Sequence, residues 1–292
     1  VITPTEKKVL KWLIPLWIIV ITLGVIIWSL YSNNKKESEV EDTQEVEEIL
    51  VREERKEIEK PILFNYIEII DGCGPVVDDT CVVAYSSPTS TSPVAEQLRK
   101  GIVLQIEKPI VSESNNEIWY KVDFSNEWIR YPERVKTDWY IPASETNIRH
   151  FIHEGTEELS ELGDIATSTK HILIDRSDQT LKAFDGDELI LEFPISSGLA
   201  VTPTPRGSFT IYRKTPSRYM QGPLPGISNQ YYDLVGVPWN LYFTEQGAVV
   251  HGAYWHDQFG KQWSHGCVNL DPDVSRELYK WADIGIGVLV RD

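Results

Sequence analysis

The stretch "VVHGAYWHDQFGKQWSHGCVN", Val249 to Asn269, gathers three histidines and one cysteine into a short segment. Cys267 directly follows the pair His265–Gly266, and a second pair, His251–Gly252, begins sixteen residues before the cysteine. Acyl transfer by cysteine needs a thiolate, a base that can form an ion pair with it, and donors for the oxyanion. Cys267 is the candidate nucleophile. His251 ends the apolar run "AVV", which would fix it at a strand edge, and the Gly252 carbonyl can accept its imidazole N–H and orient the ring. Gly266 allows a backbone conformation that points successive amides into the site, so the N–H groups of Gly266 and Cys267 are the natural oxyanion donors. Each item alone also has a plain structural reading, because a lone cysteine is usually buried and inert. With His256 and Asp257 the stretch offers the residue types of a metal cluster, but neither HxxxH nor CxxC spacing is present.

The elements that must position these residues are legible from about Ile165 onward. "KHILIDR" and "TLKAFD" read as strands across the turn "SDQ", and "DGDE" marks a second turn before "LILEFPIS". "GSFTIYRK", "GAVVHG" and "IGVLV" supply further strands. In "DPDVSRELYKWAD", Asp271 fits an N-cap and Pro272 the first helical position, while Val274, Leu278 and Trp281 share one face. The fold class predicted is mainly β, with residues 165–292 a β-sandwich carrying a small helical element. Residues 62–145 break into short apolar runs such as "CVVAYSSP", "GIVLQIEKPIV", "EIWYKVDF" and "TDWYI", spaced like a small all-β barrel, and 146–164 read as a linker.

Upstream lies a different kind of sequence. Residues 12–31, "WLIPLWIIVITLGVIIWSLY", carry no charge and are long enough to cross a hydrocarbon core of roughly 30 Å. Lys7, Lys8 and Lys11 precede them, so residues 1–11 are expected in the cytoplasm and the rest outside, on a single transmembrane anchor. A signal peptide is the alternative, disfavoured by the long apolar run and the lack of a small-x-small cleavage site. Residues 32–61 read as an acidic stalk, with eleven acidic and four basic residues between Glu37 and Lys60. That run supplies about seven of the sixteen net negative charges of the chain, and the charge excludes a phosphate-reading nucleic-acid binder. In an exported chain Cys73 and Cys81, eight residues apart in a turn-rich segment, are expected to form a disulfide. Metal binding is the poorer alternative there, and Cys267 is left as the unpaired thiol.

The arrangement His-Gly, a spacer, then Ser-His-Gly-Cys, an apolar residue and Asn, in "HGAYWHDQFGKQWSHGCVN", resembles the signature of the L,D-transpeptidase family, the YkuD-type domain. The likeness extends through "IDRSDQTLKAF", "FPISSG", "TPTPRGSFTI" and "GVPWNLYFTEQGAVVHG", and downstream through "NLDPDVSRELYKWADIGIGVLV", covering about Ile165 to Asp292. The resemblance implies that Cys267 is the nucleophile and His251 its base. It implies that the Gly252 carbonyl orients His251, that the amides of His265, Gly266 and Cys267 line the oxyanion site, and that Ser264, His265 and Asn269 shape the loop. Tyr254, Trp255 and the segment 219–239, with Tyr231 and Trp239, fall where the family has groove or lid residues, and a mobile cover is expected there. The implied reaction is attack on the third residue of a peptidoglycan stem peptide, loss of terminal D-alanine, and resolution of the thioester by an amine to give a 3–3 cross-link, with no cofactor and no metal. Water or a protein amine as acceptor, or a non-catalytic wall-binding protein, are the rival readings. "DGCGPVVDDTCVVAYSSPTSTSPVAEQLRKGIVLQI", with "WYKV" and "DWYI", resembles the bacterial SH3-like module of cell-wall enzymes, although "AYSSPTST" departs from the usual turn.

Overall fold

The computed structural model describes residues 22–30, 62–107, 109–113, 116–125, 129–159, 168–223 and 231–292. The chain divides into two units, residues 1–61 and 62–292. In the first, residues 22–30 are helical and exposed. Among the described residues no helix is long and apolar enough to cross a membrane. The remainder of the expected anchor, the N-terminus before it and the expected stalk lie outside the described residues.

The second unit is built almost wholly of strands. Phe64–Ile69 (β1), Val82–Tyr85 (β2), Val94–Leu98 (β3), Val103–Ile106 (β4), Ile110–Val111 (β5), Ile118–Lys121 (β6) and Tyr140–Pro142 (β7) occupy the region expected to be a small β domain. They form one sheet ordered β3-β2-β7-β6-β5, and a second in which β1 lies between β4 and Ile148–His153 (β8). The strand β8 falls in the segment expected to be a linker. It pairs with β1 along its whole length, from Phe64 opposite His153 to Ile69 opposite Ile148. The reason is the side chain of Phe151, which stacks on Tyr66 at 5.4 Å. Glu157–Glu158 (β9) then joins the edge of another sheet, so this segment is structural rather than a passive connection.

Two five-stranded sheets enclose the main core. One is ordered β12-β11-β10-β18-β13, from Glu188–Pro194 (β12), Thr180–Asp185 (β11), Lys170–Asp175 (β10), Gly287–Arg291 (β18) and Gly207–Thr210 (β13). The other is ordered β17-β16-β15-β14-β9, from Val268–Leu270 (β17), Val249–Gly252 (β16), Tyr231–Tyr242 (β15), Arg213–Pro223 (β14) and β9. Ile172, Ile174, Leu181, Val288 and Val290 of the first meet Leu241, Val250, Val268 and Leu270 of the second, all essentially inaccessible to water. Each such side chain contributes roughly 1.5–3 kcal/mol of apolar burial. "GSFTIYRK" is not one strand. The Ile211 amide bonds to Ile286 and the Tyr212 amide to Tyr242, so the chain crosses from one sheet to the other between them.

Pro272–Trp281 (α1) is the helix read from the sequence: Asp271 caps it, its carboxylate accepting from the Asp273 N–H at 2.9 Å. Leu278 and Tyr279 enter the core, with Val274 and Trp281 packed at its margin. Over 219–239, where a cover is expected, β14 and β15 form a hairpin that pairs from Arg213–Tyr242 to Pro223–Tyr231, with a shift in register between Arg218 and Met220. Cys73 and Cys81 are joined in a disulfide, and Cys267 is the free cysteine. A second core, containing Ile67, Leu104 and Ile141, also takes in Val235, Val237 and Tyr254, while Tyr66 and Val103 belong to the main core. The front β region and the sandwich therefore interlock.

Candidate active site

The strands β16 and β17 run parallel, with Val250 opposite Val268, His251 opposite Asn269 and Gly252 opposite Leu270. Alternate residues of a strand face opposite sides. Val250, Val268 and Leu270 point into the core, which puts His251 and Asn269 on the outer face, together with Cys267 two residues before Asn269. The sequence motif is thus a two-strand device that sets the candidate base and the candidate nucleophile on one face.

His251 is almost fully buried, and its Nδ1 lies 2.9 Å from the Gly252 carbonyl oxygen. That oxygen can only accept, so Nδ1 carries the proton and Nε2 keeps the lone pair. Burial pushes the imidazole down to about 4, against the raising effect of the Gly252 hydrogen bond, while the charges of Arg218 and His256 depress it further. Gly252 is also required sterically: a Cβ would come within 2.6 Å of Ser275 Oγ and 2.7 Å of Pro238 Cγ. The helix α1 therefore seats directly on the residue that orients the base.

Cys267 is half-buried, with its Sγ 3.8 Å from the Gly247 carbonyl oxygen. Burial raises its thiol above the usual range, opposed by the Val249 amide and by Arg218. The thiol donates to the Gly247 carbonyl rather than to His251, and burial favours the neutral form of both groups. The sequence led us to expect a preformed ion pair. Desolvation of both groups works against that pairing.

The loop around the sulfur is held by hydroxyl groups. Ser264 Oγ donates to the Cys267 carbonyl and accepts from the Gly266 N–H at 3.1 Å. Thr204 Oγ1 also reaches the Cys267 carbonyl, at 3.4 Å, and accepts from the Gly198 N–H at 2.9 Å. Gly266 adopts φ +121°, a region other residues rarely visit. Ser264 takes the Gly266 amide, which leaves the amides of His265 and Cys267 as candidate oxyanion donors, neither of them engaged among the described residues. His265 itself is exposed. Asn269 meets buried His256, whose Nδ1 accepts from the Gln258 N–H at 3.1 Å. The Asn269 side-chain amide nitrogen lies 2.8 Å from His256 Nε2.

The expected groove residues separate into two sets. Trp255 is half-buried with its ring 5.7 Å from that of His251, so it belongs to the site. Tyr231 is exposed and lies under the Arg134 guanidinium. Trp239 and Tyr254 do not line a groove. Trp239 is 5% exposed and stacks on Phe151 in the main core, and Tyr254, also 5% exposed, donates to the Val235 carbonyl at 2.7 Å. Both rings are large enough to fill the junctions between sheets, and their sequence positions beside the motif concealed that. Thr204 and Arg218 were missed because no local pattern marks them. They reach the site from a loop and from β14.

Residues 169–290 match the family model YkuD, the L,D-transpeptidase catalytic domain. The chain is 33% identical over 103 residues to "Probable L,D-transpeptidase 3" of Mycobacterium tuberculosis, covering 34% of this chain and 38% of that protein. It is 32% identical over 138 residues to L,D-transpeptidase 1 of the same organism, covering 45% of this chain and 53% of that protein. The chain thus spans about half the length of these relatives or less. A crystal structure of an Enterococcus faecium L,D-transpeptidase aligns at 27% identity and a TM-score of 0.39, covering 42% of this chain and 50% of that one. The matched span contains His251, Gly252, Ser264, His265, Gly266, Cys267 and Asn269, so the residues of the motif lie within the part of the chain that is similar to the YkuD family model.

Proposed function

We propose that the chain is a peptidoglycan L,D-transpeptidase. The observation that carries the reading is the placement of His251, fixed by the Gly252 carbonyl, on the face of β16 and β17 that also bears Cys267. The Cys267 sulfur leaves Gly247 and attacks the carbonyl carbon of the third stem residue as its proton passes to His251 Nε2. The oxyanion is held by the His265 and Cys267 amides. Collapse breaks the C–N bond, His251 returns the proton to the departing D-alanine amine, and a thioester remains on Cys267. An acceptor amine then attacks the thioester and gives up a proton to His251. The C–S bond breaks, and the imidazolium reprotonates the sulfur. The low basicity of the buried ring keeps Nε2 unprotonated at neutral pH, as a general base requires. Peptidoglycan as substrate belongs to the same proposal. So do an anchor at residues 12–31, a catalytic unit outside the membrane, and an SH3-like, wall-facing role for residues 62–145.

The test is the intact mass of the protein after exposure to a carbapenem. One adduct is expected on the wild type and none on Cys267→Ala. No adduct on either rejects the nucleophile and favours a wall-binding protein. Incubation with defined stem tetrapeptides then assigns the acceptor, a cross-linked product marking an amine and a tripeptide marking water.

A further inference from the structure

A cavity of about 690 Å³ opens beside β14, and its lining includes Arg130, Arg213, Arg218, Glu158, Tyr219 and Tyr242. Three guanidinium groups against one carboxylate is an unexpected wall in a chain with a net charge of −16. The register ties the cavity to the catalytic face: Arg213 lies opposite Tyr242, and Tyr242 opposite Val249, two residues before His251 on β16. Arg213 is neutralised by its ion pair with Glu158. Arg130 and Arg218 have no carboxylate partner among the described residues. Arg218 lies over the Tyr242 ring with its guanidinium carbon 5.5 Å from the centroid, and its Nη1 is buried without a hydrogen-bond partner among the described residues. A buried charged donor lacking an acceptor is costly, whereas a planar fork held against a ring is organised to take a carboxylate. The charge of Arg218 is also felt at both Cys267 and His251, which places it within electrostatic reach of the reacting atoms.

We infer that this cavity is an anion subsite in which Arg218, assisted by Arg130, receives a carboxylate of the acyl-donor peptide. The inference rests on the transpeptidase reading and deepens it. A stem tetrapeptide offers two sources of that carboxylate: the terminal D-alanine, next to the attacked carbonyl, and the residues before it. Arg218 distinguishes donors that carry the free acid from donors in which it is an amide.

The experiment compares kcat/KM of the full chain and its Arg218→Gln variant on three donors: the free-acid tetrapeptide, its C-terminal amide, and the peptide amidated only at its other carboxylates. Arg218→Gln is expected to lose roughly 10- to 100-fold on the free acid, as for a lost charged hydrogen bond. On whichever amide removes the partner, the variant and wild type should agree within about twofold, and this identifies the carboxylate. Any effect of Arg218 on the thiolate strikes all donors equally and cancels in the ratio. An equal loss on all three donors, or no loss on any, overturns the inference. Should the variant be too slow to assay, affinity of the free acid and the amides is measured on Cys267→Ala with and without Arg218→Gln. The acid preference must disappear with the arginine. A wild type that forms a carbapenem adduct but shows no acid-to-amide discrimination through Arg218 rejects the subsite alone. A wild type that forms no adduct and turns over no donor rejects the subsite together with the function it rests on.

Discussion

The buried base should make the fold acid-sensitive well above the pH at which most carboxylates titrate. His251 is 1% exposed, and its imidazole is held at about 4 against an ordinary 6.5. Between those values the unfolded chain binds a proton that the folded chain refuses, so stability must rise with pH through this window and fall as pH drops. At about 1.4 kcal/mol for each pH unit between the two values, the full contribution of His251 is about 3 kcal/mol, of which about 2 kcal/mol is lost by pH 5. The perturbation is His251→Gln, which has no titrating ring. Urea unfolding of both proteins at intervals from pH 7.5 to 4.5 gives the difference wild type minus variant. The difference cancels the many carboxylates the two share. We expect it to shrink by about 2 kcal/mol on going from pH 7.5 to 5. A difference that stays level across this range would refute the argument, since it would mean that the ring protonates in place and is not desolvated.

Two further outcomes follow from the packing. Gly252→Ala drives a Cβ into Ser275, Pro238 and Pro272, with predicted contacts of 2.6 to 3.0 Å, and should cost about 1–3 kcal/mol in urea midpoint terms. Because the same residue carries the carbonyl that orients His251, donor turnover should fall by more than the stability loss explains, when measured well below the melting temperature. Reducing the Cys73–Cys81 disulfide should lower stability by about 2–3 kcal/mol, while the carbapenem adduct still forms on Cys267. Loss of the adduct upon mild reduction would show that the front β region governs the site.

The parts of the molecule that were legible in the sequence are those specified by neighbours along the chain. Asp271 and Pro272 announce a helix start, and the strands around "SDQ" follow from alternation and a turn. The pair Cys267 and His251 is legible because β16 and β17 lie next to each other and the motif spans both. What escaped the sequence depends on partners far away in it. The strand β8 is unremarkable until Phe151 finds Tyr66, and Trp239 looks like a groove residue until Phe151 and Tyr279 close over it. The ionisation state of the site escaped for a related reason, because desolvation belongs to the enclosing fold and not to the residues of the motif.

The shared cores bear on how this chain can be cut and recombined. Tyr66 and Val103 fill the sandwich, and Val235, Val237 and Tyr254 fill the front region, so each half supplies plugs for holes in the other. A piece starting at residue 165 would open wet gaps beside Trp239, and a graft of a foreign front module would arrive without the matching rings. The front region is a keystone of the fold and not a detachable bead, and changes in one half oblige compensating changes in the other.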